Sequence, residues 1–262
     1  RYRPFGPSGA AVSALTLSLG TENISRGPAA ACELIYAALE AGINSYRLET
    51  ADPVLAEVVG HALQHIDRKL VTVSLTLGRG DGRRGTDRDF SAEGMTGSID
   101  RALNVSRLSW IDMVLLEEPG EDELPQSSLN ALKRLRAAQE RDMAIFAYGY
   151  FPTALDSVKK AAMLDKPARR GLFGFGGGGR SKHDPLADVG TFAFLHRTPN
   201  WTAEAICLAY DLTDPSICSI VVQANDAERL NSLALVPERD MPPGLAAQIE
   251  MARVAGAGSV AA

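Results

Sequence analysis

Several groups of residues in this chain have the types and spacing to do chemistry. His61 and His65 stand four apart, the spacing of a two-histidine metal face on a helix. No third ligand of suitable type is near them, so they read as surface histidines of an amphipathic helix. Glu117, Glu118, Glu121, Asp122 and Glu123 crowd one short stretch. Paired carboxylates can cleave a glycosidic bond, but neighbours on one loop cannot flank that bond from opposite sides, and the cluster reads as a solvated acidic loop. Arg79, Arg83, Arg84 and Arg88 form a basic, glycine-rich loop, either simply solvated or a docking patch for a partner. Gly174, Gly176 and Gly179, in GFGGGGRS, have the spacing that lets backbone N–H groups approach a phosphate, with Arg180 adding a cation. That run comes late and no apolar helix directly follows it, so it also reads as a flexible loop. Cys32, Cys207 and Cys218 match no metal spacing and read as buried, reduced thiols of a cytosolic protein.

These residues need a scaffold, and the hydrophobic pattern indicates which. The 262 residues suit one large domain or two small ones, and 45% hydrophobic content is enough for a real core. A net charge of −5 argues against broad nucleic-acid binding. No apolar run approaches the ~18 residues of a membrane span, and no basic, hydrophobic leader opens the chain. Val71–Leu77, Met113–Leu116, Ile145–Ala147 and Ser219–Val222 are short apolar runs of the kind buried on both faces of a parallel sheet. Between them, Leu55, Val58, Val59, Ala62, Leu63 and Ile66 recur at helical steps, predicting a helix over Pro53–Ile66, and Leu129, Leu132, Leu135 and Ala138 do the same. Pro28, Pro53 and Pro152 sit where helices begin, Ser91 and Ser127 are N-cap candidates, and Gly42 stops the helix Ala29–Ala41. Repeated strand–helix units mean a parallel sheet, open or closed. An open dinucleotide-binding sheet would carry its glycines after the first strand. Leu15–Gly20 runs instead into Thr21-Glu22-Asn23, which points to a barrel.

Four stretches resemble the aldo/keto reductase family. They are Tyr2–Thr21, similar to that family's N-terminal hairpin and first barrel strand; AALEAGIN at Ala37–Asn44; IDMVLLEEP at Ile111–Pro119; and Trp201–Leu230, similar to its last helix–strand–helix passage. The resemblance implies an α/β fold, a (β/α)8 barrel over residues 1–252 with its site at the C-terminal strand ends, followed by a flexible tail over 253–262. The span between Met163 and Trp201 has room for about one strand–helix unit, so one unit is expected to be shortened or missing.

The family reduces carbonyls with a Tyr proton donor, an Asp and a Lys that tune it, and a His that orients the carbonyl. Here Arg47 stands at the Asp position, with Glu49 as the alternative in a shifted register. Asp52-Pro53-Val54-Leu55 holds no Tyr, Thr76 stands for the Lys and Glu117 for the His. Without a proton donor in reach, general acid catalysis fails, so no catalytic residue and no metal ligand is assigned. The resemblance implies a cofactor site for NAD(H) built from Gly20, Thr21, Tyr148, Phe175, Arg180, Asn225 and Arg229, with Val222-Gln223 replacing a Pro-Gly pair. The missing tetrad, the Ala/Arg/Gly-rich composition and the terminal Ala261-Ala262 resemble degenerate family members that regulate alphaproteobacterial cell division. That likeness implies action on the tubulin-like protein FtsZ and a sensor histidine kinase, and Ala261 and Ala262 as a degron for a Clp-type protease. The alternative is an active NAD(P)H-dependent oxidoreductase with a rebuilt site, using for example Tyr148 as acid.

Overall fold

The computed structural model describes residues 1–5, 10–78, 89–116, 125–138, 144–146, 197–215 and 217–258. A two-stranded antiparallel hairpin, β1 (Tyr2–Pro4) and β2 (Ala11–Ser13), opens the chain. Strands β3 (Leu15–Leu19), β4 (Ser45–Leu48), β5 (Thr72–Leu77), β6 (Met113–Leu116), β7 (Ala144–Phe146) and β8 (Ile220–Gln223) form one sheet in the order β7-β6-β5-β4-β3-β8. The pairs from β3 to β7 are parallel, with Thr16 opposite Ser45, Arg47 opposite Ser74, and Thr76 opposite Leu115. The helices are α1 (Thr21–Ile24), α2 (Pro28–Glu40), α3 (Pro53–Leu63), α4 (Ala92–Ser106), α5 (Gln126–Ala138), α6 (Ala203–Asp211), α7 (Ala227–Ala234) and α8 (Leu245–Gly258).

The chain divides into two compact units. The first comprises residues 1–151 with 221–234, and in it the strands alternate. Leu15, Leu17 and Leu19 on β3, Tyr46 and Leu48 on β4, and Val73, Leu75 and Leu77 on β5 are buried apolar groups. Thr16, Ser18, Ser45, Arg47, Thr72, Ser74 and Thr76 alternate with them and are buried too. The runs read as apolar are thus two-faced, one face apolar and one carrying small polar groups that bond across strands, as Thr16 Oγ1 does to Ser45 Oγ at 2.8 Å. The period-two pattern was masked because both faces exclude water.

Local chemistry explains the element ends. Pro28 and Pro53 occupy first helical turns, and Asp52 caps α3 by accepting from Leu55 N–H at 3.0 Å. Ser91 caps α4 through Gly94 N–H, and Gly42 takes φ 77° just past α2, a left-handed turn that favours glycine. Ser127 is not a cap. The Pro125 carbonyl accepts from Ser128 N–H and Leu129 N–H, so α5 starts two residues earlier than such a cap requires and Ser127 lies inside it. The helix α3 ends at Leu63, with Ile66 N–H turned back onto the Leu63 carbonyl, so His65 is not on the helix that carries His61. At the N-terminal strand ends, Arg68 pairs with Asp112 at 2.5 Å, donates to the carbonyls of Val71 and Trp110, and stacks 4.6 Å from the Trp110 ring centre. Asp112 also accepts from Val73 N–H and Trp110 Nε1.

The second unit comprises residues 152–220 with 235–262. In it Thr202 caps α6, and the Arg239 guanidinium lies 3.9 Å from the Trp201 ring centre while donating to the Asn200 carbonyl. Helix α8 runs six residues into the stretch expected as a tail, over 253–258. Of the three cysteines, all free, only Cys207 is fully buried, and Cys32 and Cys218 are half-buried. No helix among the described residues is long and apolar enough to cross a membrane, and no cluster of metal-ligating side chains occurs among them.

Candidate functional site at the strand ends

The C-terminal ends of β3, β4, β5 and β8 gather the polar groups of the first unit. Arg47 and Glu49 are two apart at the end of β4, and each is about 95% withdrawn from solvent, at 4% and 5% exposure. Arg47 Nε donates to Thr76 Oγ1 on β5 at 3.0 Å. Glu49 Oε1 accepts from Ser18 Oγ on β3 and from Gln223 Nε2 on β8, both at 2.8 Å. Burying such side chains is costly unless their polar atoms are hydrogen-bonded, and these bonds offset part of that cost. Next to them, the buried Thr50 hydroxyl makes no hydrogen bond among the described residues. A buried polar group of that kind marks a place where one more hydrogen-bond partner can be taken up.

Four of the expected cofactor residues lie on this rim. Gly20, buried, and Thr21, exposed, follow β3; Asn225 and Arg229, both exposed, follow β8. Asn23 joins the two turns, accepting from Gly20 N–H at 2.8 Å and donating to the Ala224 carbonyl at 3.0 Å. Arg26 donates to the Asn225 carbonyl at 3.3 Å. Arg229 donates through Nε to the Gln223 carbonyl at 3.1 Å, and its N–H is capped by Asp226. A Cβ on Gly20 would stand 2.7 Å from Glu49 Oε2, so a larger residue in that turn must displace the Glu49 carboxylate. Tyr148, Phe175 and Arg180 lie outside the described residues, as do Gly174–Gly179, Glu117 with its acidic neighbours, Arg79–Arg88, Pro152, Ala261 and Ala262.

Sequence reasoning passed over Ser18, Asn23 and Arg26, and it noted Gln223 only as a replacement. Apart from the local bond of Asn23 to Gly20 N–H, the partners named here are 31 to 201 residues away, a separation that no local pattern signals. At positions 52–55, where the resemblance places the proton-donating tyrosine, Asp52 caps α3, Val54 is exposed and Leu55 is buried. Tyr46, the one tyrosine on these strands among the described residues, is fully buried, and its hydroxyl donates to the Ile43 carbonyl at 2.9 Å. Burial, with a smaller effect from Tyr2, pushes its phenol well above the usual tyrosine range.

The residues present fit a dinucleotide in their chemistry. Two arginines border a glycine turn, and an orphan hydroxyl lies at the neighbouring strand end. No protein-family model matches the chain, and no curated protein matches it. Solved structures do. The chain is similar to the holo form of the aldo-keto reductase AKR11C1 from Bacillus halodurans, at 15% identity and a TM-score of 0.69, over 96% of both chains. It is also similar to the apo form of that enzyme, at 14% identity and a TM-score of 0.62, over 96% of this chain and 95% of the other. At such identity the likeness concerns architecture, and the architecture is plain: this chain has the aldo-keto reductase fold, an α/β protein of the (β/α)8 barrel type.

Proposed function

We propose that the chain is a non-catalytic, NAD(H)-responsive regulator that works through protein contacts. One observation carries this reading: Thr76 stands where the resemblance places a lysine, and its hydroxyl is taken by Arg47 Nε. An arginine holds its proton at any ordinary pH, so the pair can orient and polarise but cannot pass a proton. When bound, a nicotinamide dinucleotide supplies a diphosphate anion and a ring with two charge states. Arg26 and Arg229 border the place for the anion. Glu49 and Arg47 keep one buried charge of each sign beside the strand ends, a setting that binding can exploit without turnover.

The finer proposal follows the resemblance to KidO, the alphaproteobacterial cell-division regulator. On it the protein acts in the cytoplasm on FtsZ and on a sensor histidine kinase, and Ala261-Ala262 is read by a Clp-type protease. Oxidation of NADH and NADPH over a panel of aldehydes and ketones tests the central claim. The expected rate is background. A turnover number near ~1 s⁻¹, the low end of ordinary enzymes, would instead support a rebuilt active site using Tyr148. Calorimetry with both nucleotides separates a nucleotide-responsive regulator from an interaction module without a small ligand. A pulse-chase comparing wild type with Ala261→Asp/Ala262→Asp tests the degron, and equal half-lives would remove it.

A further inference from the structure

Glu49 ties three strands together at their C-terminal ends. It extends from the end of β4 past β3 to β8. Its own N–H donates to the Leu19 carbonyl at 2.9 Å, and its Oε1 receives Ser18 and Gln223. Beyond Gln223 the chain turns into α7, and three successive carbonyls of that turn are held by side chains. Arg229 holds Gln223, Asn23 holds Ala224, and Arg26 holds Asn225. A trans peptide carries its C=O and the next N–H on opposite sides of one plane. Holding these carbonyls therefore also sets the directions of the Ala224, Asn225 and Asp226 N–H groups. Gln223 links the two halves. Its side chain is fixed by Glu49, and its carbonyl anchors the Arg229 guanidinium.

We propose that Glu49 is a positioning residue for the nucleotide rim, setting the turn Gln223–Asp226 and Arg229 through Gln223. The link to a nucleotide rests on the function proposed above, whereas the setting of the turn rests on these bonds alone. Length and acceptor are what the role requires. Glu49→Gln keeps both, because an amide oxygen accepts the same two bonds. Glu49→Asp keeps the charge but is one carbon too short to reach Gln223.

Two measurements on the full chain test this. The first is amide hydrogen exchange of residues 224–226 without ligand. Glu49→Asp and Gln223→Leu should each speed exchange there about tenfold, and Glu49→Gln should leave it at the wild-type rate. The second is NADH affinity by calorimetry. Glu49→Asp and Gln223→Leu should each weaken binding about tenfold, and the double variant should be no weaker than either, since both remove one bond. Unchanged exchange in Glu49→Asp and Gln223→Leu, or losses that multiply in the double variant, would overturn the proposal. So would a Glu49→Gln protein that behaves like Glu49→Asp, since the charge and not the acceptor would then matter. Wild type that binds no NADH but shows the expected exchange pattern would leave the clasp standing and remove the nucleotide reading. Tight NADH binding with unaltered exchange in every variant would do the reverse.

Discussion

Gly20 shows how tightly single residues are matched at the strand ends. Its backbone, at φ −123°, is one any residue adopts, so only space demands glycine there. The obstructing atom, Glu49 Oε2, ends a side chain, but that side chain is held by two bonds and cannot swing aside freely. Gly20→Ala should therefore cost about 1–2 kcal/mol in urea unfolding, the usual range for mild overpacking. Tyr46 offers a test by pH. Below the ordinary tyrosine range, near pH 10, the phenol is neutral in both states and titration contributes nothing. Above it the unfolded chain ionises while the folded one does not, so stability falls as pH rises, by up to about 1.4 kcal/mol per pH unit. Tyr46→Phe should flatten that alkaline limb in thermal melts, while costing about 1 kcal/mol at neutral pH through the lost bond to the Ile43 carbonyl. At this scale only part of the site was legible. Arg47, Glu49 and Thr76 drew notice through the family pattern that they break. Ser18 and Asn23 carry no such mark, because a serine in a strand and an asparagine in a turn look ordinary until the chain folds and their partners arrive.

At the scale of elements, the α3–α4 contact makes the sharpest forecast. A Cβ on Gly60 would lie 1.9 Å from the Ser106 carbonyl oxygen, which is backbone and cannot step aside. A Cβ on Gly97, also helical, would meet nothing within 4 Å. Both changes to alanine gain about 0.5–1 kcal/mol of helix propensity. Gly97→Ala should show that gain as a raised melting temperature. In Gly60→Ala the overpacking cost of about 1–3 kcal/mol should outweigh it, and the protein should melt lower. Strands and helices were largely legible because burial and period are local properties. The run Met113–Leu116 and the helix start at Pro53 are each set by the side chains they contain. Element ends were less legible. The start of α5 is decided by the Pro125 carbonyl, and α8 continues to Gly258 through small residues that read equally well as a limp tail.

At the scale of the whole molecule, the two ends of the sheet carry different polar groups. Arg68, Trp110 and Asp112 knot the N-terminal strand ends together, whereas Glu49, Gln223 and the arginine rim lie at the opposite ends. In barrels of this kind the first end serves stability and the second function. Asp112→Ala, which takes away the carboxylate partner of Arg68 and the acceptor of the Val73 N–H and Trp110 Nε1 donors, should remove about 3 kcal/mol of stability. In the folded protein it should leave NADH affinity unchanged, as calorimetry below the melting range would show. The barrel itself was legible as a fold class, since repeated strand–helix units without an early glycine fingerprint leave few alternatives. The joining of its seam by Gln223 and Asn23 was not. That seam has a consequence for how the molecule comes into being. The first unit is interrupted in sequence, its last 14 residues, 221–234, arriving only after 152–220 have been made. Glu49 is synthesised 174 residues before the side chain that holds it. A growing chain on the ribosome thus exposes a buried-type carboxylate, without its Gln223 partner, for most of its synthesis. The strand-end cluster is completed among the last events, so a chain cut short before residue 220 lacks the last strand of this seam.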